Sequence, residues 1–415
     1  MDIRVIILLL AEAVLASYLI LRTIRSTKIS YILCIILLSA GAFFARYLVL
    51  DYATLDYKDF LSRWVEFFRQ NGGFKALNHP VGNYNIPYLY FLAAFSYSKI
   101  NDLYLIKLLS ILFDVLLAWG SALLLTRFTQ SKGKIIACFY VILFLPTVFL
   151  NGSLWGQCDS TYVALAVLGV YCALDDRPIL SMILAALSFG FKLQAVFILP
   201  VYAVLCMKGK IKLWHFIVFP VTYILLVLPA VFLGRPFFDT ITLYFNQTGS
   251  IGDGLNYNSP SVYAMFQYIL PNEYNALASK LGIIAAAVYM ITVLIICYVN
   301  RKRLSEKSIL AAALLFAIGI PFLLPHMHDR YFFAADVISV IVAFTAIEFS
   351  AIPLLVQFAS ILGYHAYLKM RYLLLMDRGS WALIAALILT GWYFALSMER
   401  PERDLPQRTP GKAKI

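Results

Sequence analysis

Apolar runs long enough to cross a bilayer follow one another along almost the whole chain, with short polar segments between them. A spanning helix needs about 20 predominantly apolar residues, because in lipid the backbone must satisfy its own hydrogen bonds. The pattern predicts an all-α polytopic membrane protein of about thirteen spans. They are expected near 4–21, 30–50, 104–126, 135–150, 159–175, 177–190, 193–206, 213–232, 278–299, 308–324, 331–348, 350–367 and 380–397. The stretches 177–190 and 193–206 are short and meet at Gly190-Phe191-Lys192, which reads as two half-helices dipping to a cavity. One membrane domain over 1–400 is expected, followed by a basic cytoplasmic tail over 401–415. Ile6 to Leu21 precedes a basic cluster rather than a small-residue cleavage site, so no cleavable signal peptide is expected.

Charge placement sets the topology. Lys and Arg near span ends favour the cytoplasmic side. Arg22–Lys28, Arg127–Lys134, Met207–Lys212, Asn300–Lys307 and Arg400–Lys414 are spaced so that one arrangement puts all five clusters inside. Lys369, Arg371 and Arg378 then fall outside, against the rule; either the last spans are miscounted or this segment lies flat at the interface. The remaining polar segments land outside at 51–102, 151–158, 233–277 and 325–330, together with the break at Phe191–Gln194. With 62% hydrophobic and 13% charged residues, the chain is not a soluble globular domain. Its net charge of +12 sits at span ends, which argues for a lipid bilayer and against nucleic acid as partner. Of the six cysteines, five lie in apolar runs, so no disulfide framework is expected.

Chemistry collects on the outer side. The first loop carries DYATLDYKDFLSRWVEFFRQNGGF, in which Phe60, Trp64, Phe67 and Phe68 recur at the spacing of an amphipathic helix lying in the headgroup plane. NGSLWGQCDS, FKLQ and PHMHDRYFF add amides, carboxylates, imidazoles and a lysine to the same face. Such a set fits a site at the membrane boundary for an anionic group carried on a lipid. A channel or carrier places its ionisable groups near mid-span instead. Here the main exception is Asp114, with Lys107 seven positions earlier, and the two are expected to pair structurally. A transporter or flippase of a lipid-linked sugar is the alternative reading; it predicts repeated halves, and the sequence has no internal repeat. A non-catalytic scaffold has no need of so many polar loops on one face.

The motifs DYKDFLSRW, NGGF and NYNIPYLY, then KLLSILFD, WGQCDS, FKLQAVFILP and HMHDRYFFAAD, resemble the GT-C superfamily of polytopic glycosyltransferases that use polyprenyl-phosphate sugars. In particular they are similar to prokaryotic relatives of the second mannosyltransferase of GPI-anchor synthesis. The resemblance runs from Asp51 to Asp336. It departs from the family pattern at Asn83-Tyr84-Asn85-Ile86-Pro87, where one of a pair of prolines is missing. It departs again at Lys192-Leu193-Gln194, in place of Lys-Pro-Gln, and at His328-Asp329-Arg330-Tyr331, in place of His-Glu-Arg-Tyr. The resemblance implies an inverting transferase that moves one hexose, mannose favoured, from a polyprenyl-phosphate donor to an acceptor hydroxyl. The acceptor would be a glycolipid, a polysaccharide or a protein. The expected location is a prokaryotic plasma membrane, or the ER membrane in a eukaryote, with the site on the outer or lumenal face.

Roles follow from residue chemistry within those motifs. Asp56 is the first candidate for general base, where the family carries its functional carboxylate; Asp59, one helical turn on, is the reserve and Asp51 the third. Arg330 and His328, supported by His326 and Lys192, are the candidate donor-phosphate contacts, since a guanidinium fork suits phosphate oxygens. Against this, Arg330 could instead bridge to Asp329 or Asp336, and Lys192 could reach to the interface. Trp155, Gln157, Asp159, Gln194, Tyr257 and Tyr84 are candidate sugar or acceptor contacts. No cofactor is required, and a divalent metal at the His-x-His pair lacks a further ligand of suitable spacing. Two Asn-x-Ser/Thr sequons, at Asn151 and Asn246, fall on the outer face.

Overall fold

The computed structural model describes residues 2–244, 254–266, 269 and 271–399. The sequon at Asn246 and the tail over 401–415 lie outside the described residues. Among the latter, fifteen α-helices are eight residues or longer: α1 Ile3–Ile24, α2 Ile29–Tyr47, α3 Ser62–Gln70, α4 Ile86–Phe95, α5 Asp102–Leu125, α6 Lys132–Phe144, α7 Asp159–Leu174, α8 Pro178–Phe191, α9 Pro200–Met207, α10 Val218–Phe232, α11 Asn275–Val299, α12 Glu306–Leu323, α13 Phe333–Thr345, α14 Ala351–Lys369 and α15 Asp377–Leu396. Two short strands, β1 Asn256–Tyr257 and β2 Met327–His328, pair in parallel. The chain is an all-α polytopic membrane protein. Among the described residues, eight helices are long and apolar enough to cross a bilayer, or nine if one bent pair is a single span. Every expected span lies on a helix, but α7, α8, α9 and α13 are shorter than a full crossing.

Local chemistry explains the breaks. The expected span 135–150 bends by 47° where α6 meets Pro146. Leu145, the residue before that proline, is driven to φ −58°, ψ 125°, outside the helical region. The pair α8 and α9 is interrupted at Lys192, which is extended at φ −153°, ψ 133°. The first polar loop is more structured than its composition suggests: it holds a π-helical turn at Tyr57–Leu61, then α3, and then the buried apolar helix α4. In α3, Val65 and Phe68 are buried whereas Phe60, before it, is half exposed.

The core is formed by α5, α7, α12 and α13, with α7 packed between α5 and α8. Helix α12 has 83% of its span inside the protein, whereas α1 has 22%, as expected of a helix facing lipid. The bundle sorts its polar residues between two ends. At one, Arg127 meets Glu306 at 2.8 Å and Asp175 at 3.7 Å, and Lys210 meets Asp176 at 2.9 Å. At the other lie Asp102, Asp159, Lys192 and His326, at the opposite termini of the same helices and their connections. The 24 residues of α5 separate the ends by roughly 36 Å. Lys369, Arg371 and Arg378 also belong to the second end, because Tyr372 bonds Asn258 and Ser380 bonds the Ser261 carbonyl there.

The expected Lys107–Asp114 pair is not formed. Asp114 instead pairs with Arg46 of α2 at 3.2 Å and accepts from Ser160 of α7. Lys107 donates to the carbonyls of Val49, Leu50 and Tyr52 at 2.7–3.0 Å. Seven residues of helix rise about 10.5 Å, beyond ion-pair reach, so each side chain finds its partner on a neighbouring segment.

Candidate active site

Asp56 lies just before the π-helical turn, where the chain leaves α2. Its carboxylate accepts from Trp155 Nε1 at 2.9 Å and from Gln157 Nε2 at 2.8 Å. Both bonds fall on one oxygen, Oδ2, so neither occupies Oδ1. The donors are themselves fixed. Tyr84 donates to Gln157 Oε1 at 3.0 Å, which turns the amide NH₂ toward Asp56. Trp155 is stacked on Tyr367 with ring centroids 3.9 Å apart and 9° between planes. The Tyr367 hydroxyl in turn accepts the Asp56 backbone N–H at 3.1 Å.

Beside this carboxylate is a buried cationic cluster with Asp159 at its centre. Lys192 Nζ reaches Asp159 Oδ1 at 2.5 Å, and Arg330 Nε lies 3.5 Å from Oδ2. Asn151 clamps the same carboxylate, donating to Oδ2 at 2.7 Å and accepting the Asp159 N–H at 3.2 Å. Asn151 also donates to Tyr364 at 2.9 Å and is fully buried, so its sequon is closed to modification. Asp159 is the first helical residue of α7, with Cys158 at the cap, and a carboxylate in the first turn is favoured by the helix dipole. The extended backbone at Lys192 directs its side chain into this cluster. Its ammonium lies 5.8 Å from the Tyr84 ring centre, and the Arg330 guanidinium lies 5.1 Å from the Trp155 ring.

The segment after α12 forms the third wall. Strand pairing between β1 and β2 sets Tyr257 on His328, ring centres 4.8 Å apart and 13° from parallel. Burial pushes the His328 imidazole down to about 4, helped by the neighbouring Arg330 and Lys192 charges, so the ring is neutral at pH 7. Burial pushes Asp329 up to about 7 although Arg330, 3.3 Å away, opposes the shift. Asp56 acts on both groups, which places it in the same electrostatic neighbourhood. Helix α14 closes over the segment at Gly363, where a Cβ would sit 2.6 Å from the Asp329 carbonyl oxygen and 2.8 Å from that of Asn258.

The structure thus brings together Asp56, Tyr84, Trp155, Gln157, Asp159, Lys192, Tyr257, His328 and Arg330. It sets others apart. Asp59 is half exposed and pairs with Arg63 at 3.5 Å. Asp51 accepts from Tyr104 at 2.6 Å. His326 is held by the Gly254 carbonyl at 2.7 Å and Ser279 at 3.1 Å. Gln194 lies against the Tyr331 hydroxyl. Of the two ion pairs expected for Arg330, that to Asp329 is formed at 3.3 Å, alongside the longer contact to Asp159, and among the described residues that to Asp336 is not. Tyr367, Tyr364 and the clamp role of Asn151 were not among the expected site residues. Among the described residues no group of three His, Cys, Asp or Glu side chains is arranged to hold a metal ion.

This arrangement can take a proton at Asp56 while cations a short distance away hold negative charge. No curated protein matches the sequence closely enough to count. The sequence profile of glycosyltransferase family 87 does match, over residues 83–325, from the asparagine before Tyr84 to the proline before His326. As that is more than half of the 415 residues, the chain belongs to glycosyltransferase family 87, a GT-C-like family of membrane glycosyltransferases.

Proposed function

We propose that this glycosyltransferase moves a single hexose, mannose favoured, from a polyprenyl-phosphate donor to an acceptor hydroxyl, with inversion and with Asp56 as general base. The observation that carries this is the juxtaposition of a carboxylate oriented through one oxygen with a buried lysine and a part-buried arginine centred on Asp159. The donor phosphate would take Arg330 and Lys192 as charge partners and His328 as a neutral N–H donor. Phosphate oxygens there share the cations with Asp159 and stabilise the departing lipid phosphate. The acceptor hydroxyl would approach Asp56 Oδ1, which takes its proton as the new glycosidic bond forms and the sugar–phosphate bond breaks. Tyr257 offers a ring face to the sugar. The basic clusters at the far end of the bundle favour a topology with this site on the outer or lumenal side, in a prokaryotic plasma membrane or in the ER.

The test is transfer of radiolabelled mannose from polyprenyl-phosphate mannose to a membrane glycolipid extract by the purified protein. Wild type is expected to transfer and Asp56→Asn to lose turnover while retaining donor binding. Tight donor binding without transfer by either protein, even with polysaccharide and protein acceptors supplied, would instead favour a flippase. Equal transfer by both would remove Asp56 from the mechanism.

A further inference from the structure

At the basic end of the bundle, away from the site above, a cavity of about 650 Å³ lies between the last turns of α1 and α5 and the first turn of α6. Three cations line it: Arg22, Arg25 and Lys132. Their neighbours at this end meet carboxylates: Arg127 meets Glu306, Arg177 meets Asp175, and Lys210 meets Asp176. Among the described residues the three in the cavity have no such partner, and no Asp or Glu lines it. Lys132 is drawn toward the Arg25 carbonyl at 3.5 Å, and Arg25 itself takes a left-handed backbone, φ 46°, that ends α1. Trp119 ties the two walls by donating to Thr23 at 3.2 Å. A hollow that concentrates positive charge without neutralising it is built for an anion.

The surroundings select the anion's carrier. Tyr18, 54% exposed, is part of the cavity wall and also the last member of an exposed apolar stripe on α1 that includes Ile7, Leu10 and Val14. The spacing of these residues puts them along one side of the helix, the one an acyl chain would follow to the cavity. We propose that this cavity binds the phosphate headgroup of an anionic phospholipid in the leaflet at the basic end, with the acyl chain along α1. The cations neutralise the phosphate, while Thr126 and Gln130 supply neutral polar contacts around it.

The experiment titrates fluorophore-labelled phosphatidylglycerol and phosphatidylcholine into the purified full-length protein in non-ionic detergent. Phosphatidylglycerol is expected to bind saturably and more tightly than phosphatidylcholine. The triple variant Arg22→Gln/Arg25→Gln/Lys132→Gln should bind it roughly a hundredfold more weakly, the combined effect of three cations facing the phosphate directly. Lys28→Gln/Lys134→Gln, which removes two charges at the same end but outside the cavity lining, should leave binding nearly unchanged. Thr126→Trp, which fills the hollow without altering charge, should reproduce the loss and separates a site from a general field. Equal losses in the triple and control variants, or no preference between the two lipids, would overturn the proposal. Displacement of the lipid by millimolar glycerol phosphate would overturn it too, by assigning the cavity to a soluble phosphate compound.

Discussion

Two buried charge clusters in this protein use similar residues to opposite ends. In the first, Arg46 and Asp114 pair inside the bundle with both side chains fully buried. Neighbouring groups close in on them: Arg46 also donates to the Leu143 carbonyl at 2.9 Å, Ser160 donates to Asp114, a Cβ on Gly152 would lie 2.9 Å from the Asp114 carboxylate, and Glu12 of α1 lies in the same electrostatic neighbourhood. In the second, Asp159 serves two cations at once, and the Arg330 and Lys192 side chains keep 16% and 8% exposure. The first cluster is a bolt between α2, α5 and α7. The second draws its members from the start of α7, the end of α8 and the segment after α12, and leaves a small opening to its cations. Burial and pairing are common to both clusters; residual access is what separates them.

The comparison can be broken in several ways. The largest effect is expected at Asp56→Asn, where transfer should fall by roughly 10²–10⁴ with no loss of melting temperature, because the amide preserves shape. A parallel fall in thermal stability would mean that Asp56 belongs with the fastenings. Arg46→Met is expected to cost about 3–5 kcal/mol of stability, since it strands Asp114 in the interior. Pairing it with Asp114→Leu should recover much of that loss, and yield with thermal unfolding in detergent would read both. Lys192→Met should weaken donor binding about tenfold to a hundredfold, the range for a charge-assisted contact to phosphate. It should disturb folding less than Arg46→Met does, because Asp159 keeps Asn151 and Arg330. The smallest effect concerns pH. The His328 pKa is lower in the folded protein than the ordinary 6.5, so its contribution is complete above that value and is lost as pH falls toward about 4. His328→Gln should therefore flatten the decline of melting temperature over that window, and an unchanged slope would place the imidazole in water.

Much of this was readable in the order of residues, and the limits have physical causes. The apolar runs, the basic clusters and the convergence of the polar loops follow from rules of periodicity and desolvation that act locally. The unit of Asp56 with Trp155 and Gln157 was visible as separate motifs, but not as a bonded set, because about a hundred residues lie between the partners. Tyr367 carries no signal of its own; its place under Trp155 depends on how α14 packs. Arg46 lies within an expected span and was invisible because its partner is on another helix. Lys107 and Asp114 misled for the converse reason: sharing a helix face does not bring side chains two turns apart into contact. The profile match covers Lys192 and Asp159 but stops short of Asp56 and Arg330, so the latter two rest on geometry.

The close approach at Gly363 has a further consequence. On the same helix, Tyr364 reaches Asn151, and Tyr367, one turn beyond Gly363, reaches Asp56 and Trp155. One short stretch of α14 therefore touches the backbone of the cation-bearing loop, the clamp on Asp159 and the support of the carboxylate. It acts as a caliper whose closed jaws set the gap between the cation cluster around Asp159 and the Asp56 carboxylate. A single methyl at position 363 would open that gap from both sides, so rate and donor affinity should fall together although neither reacting group had been changed.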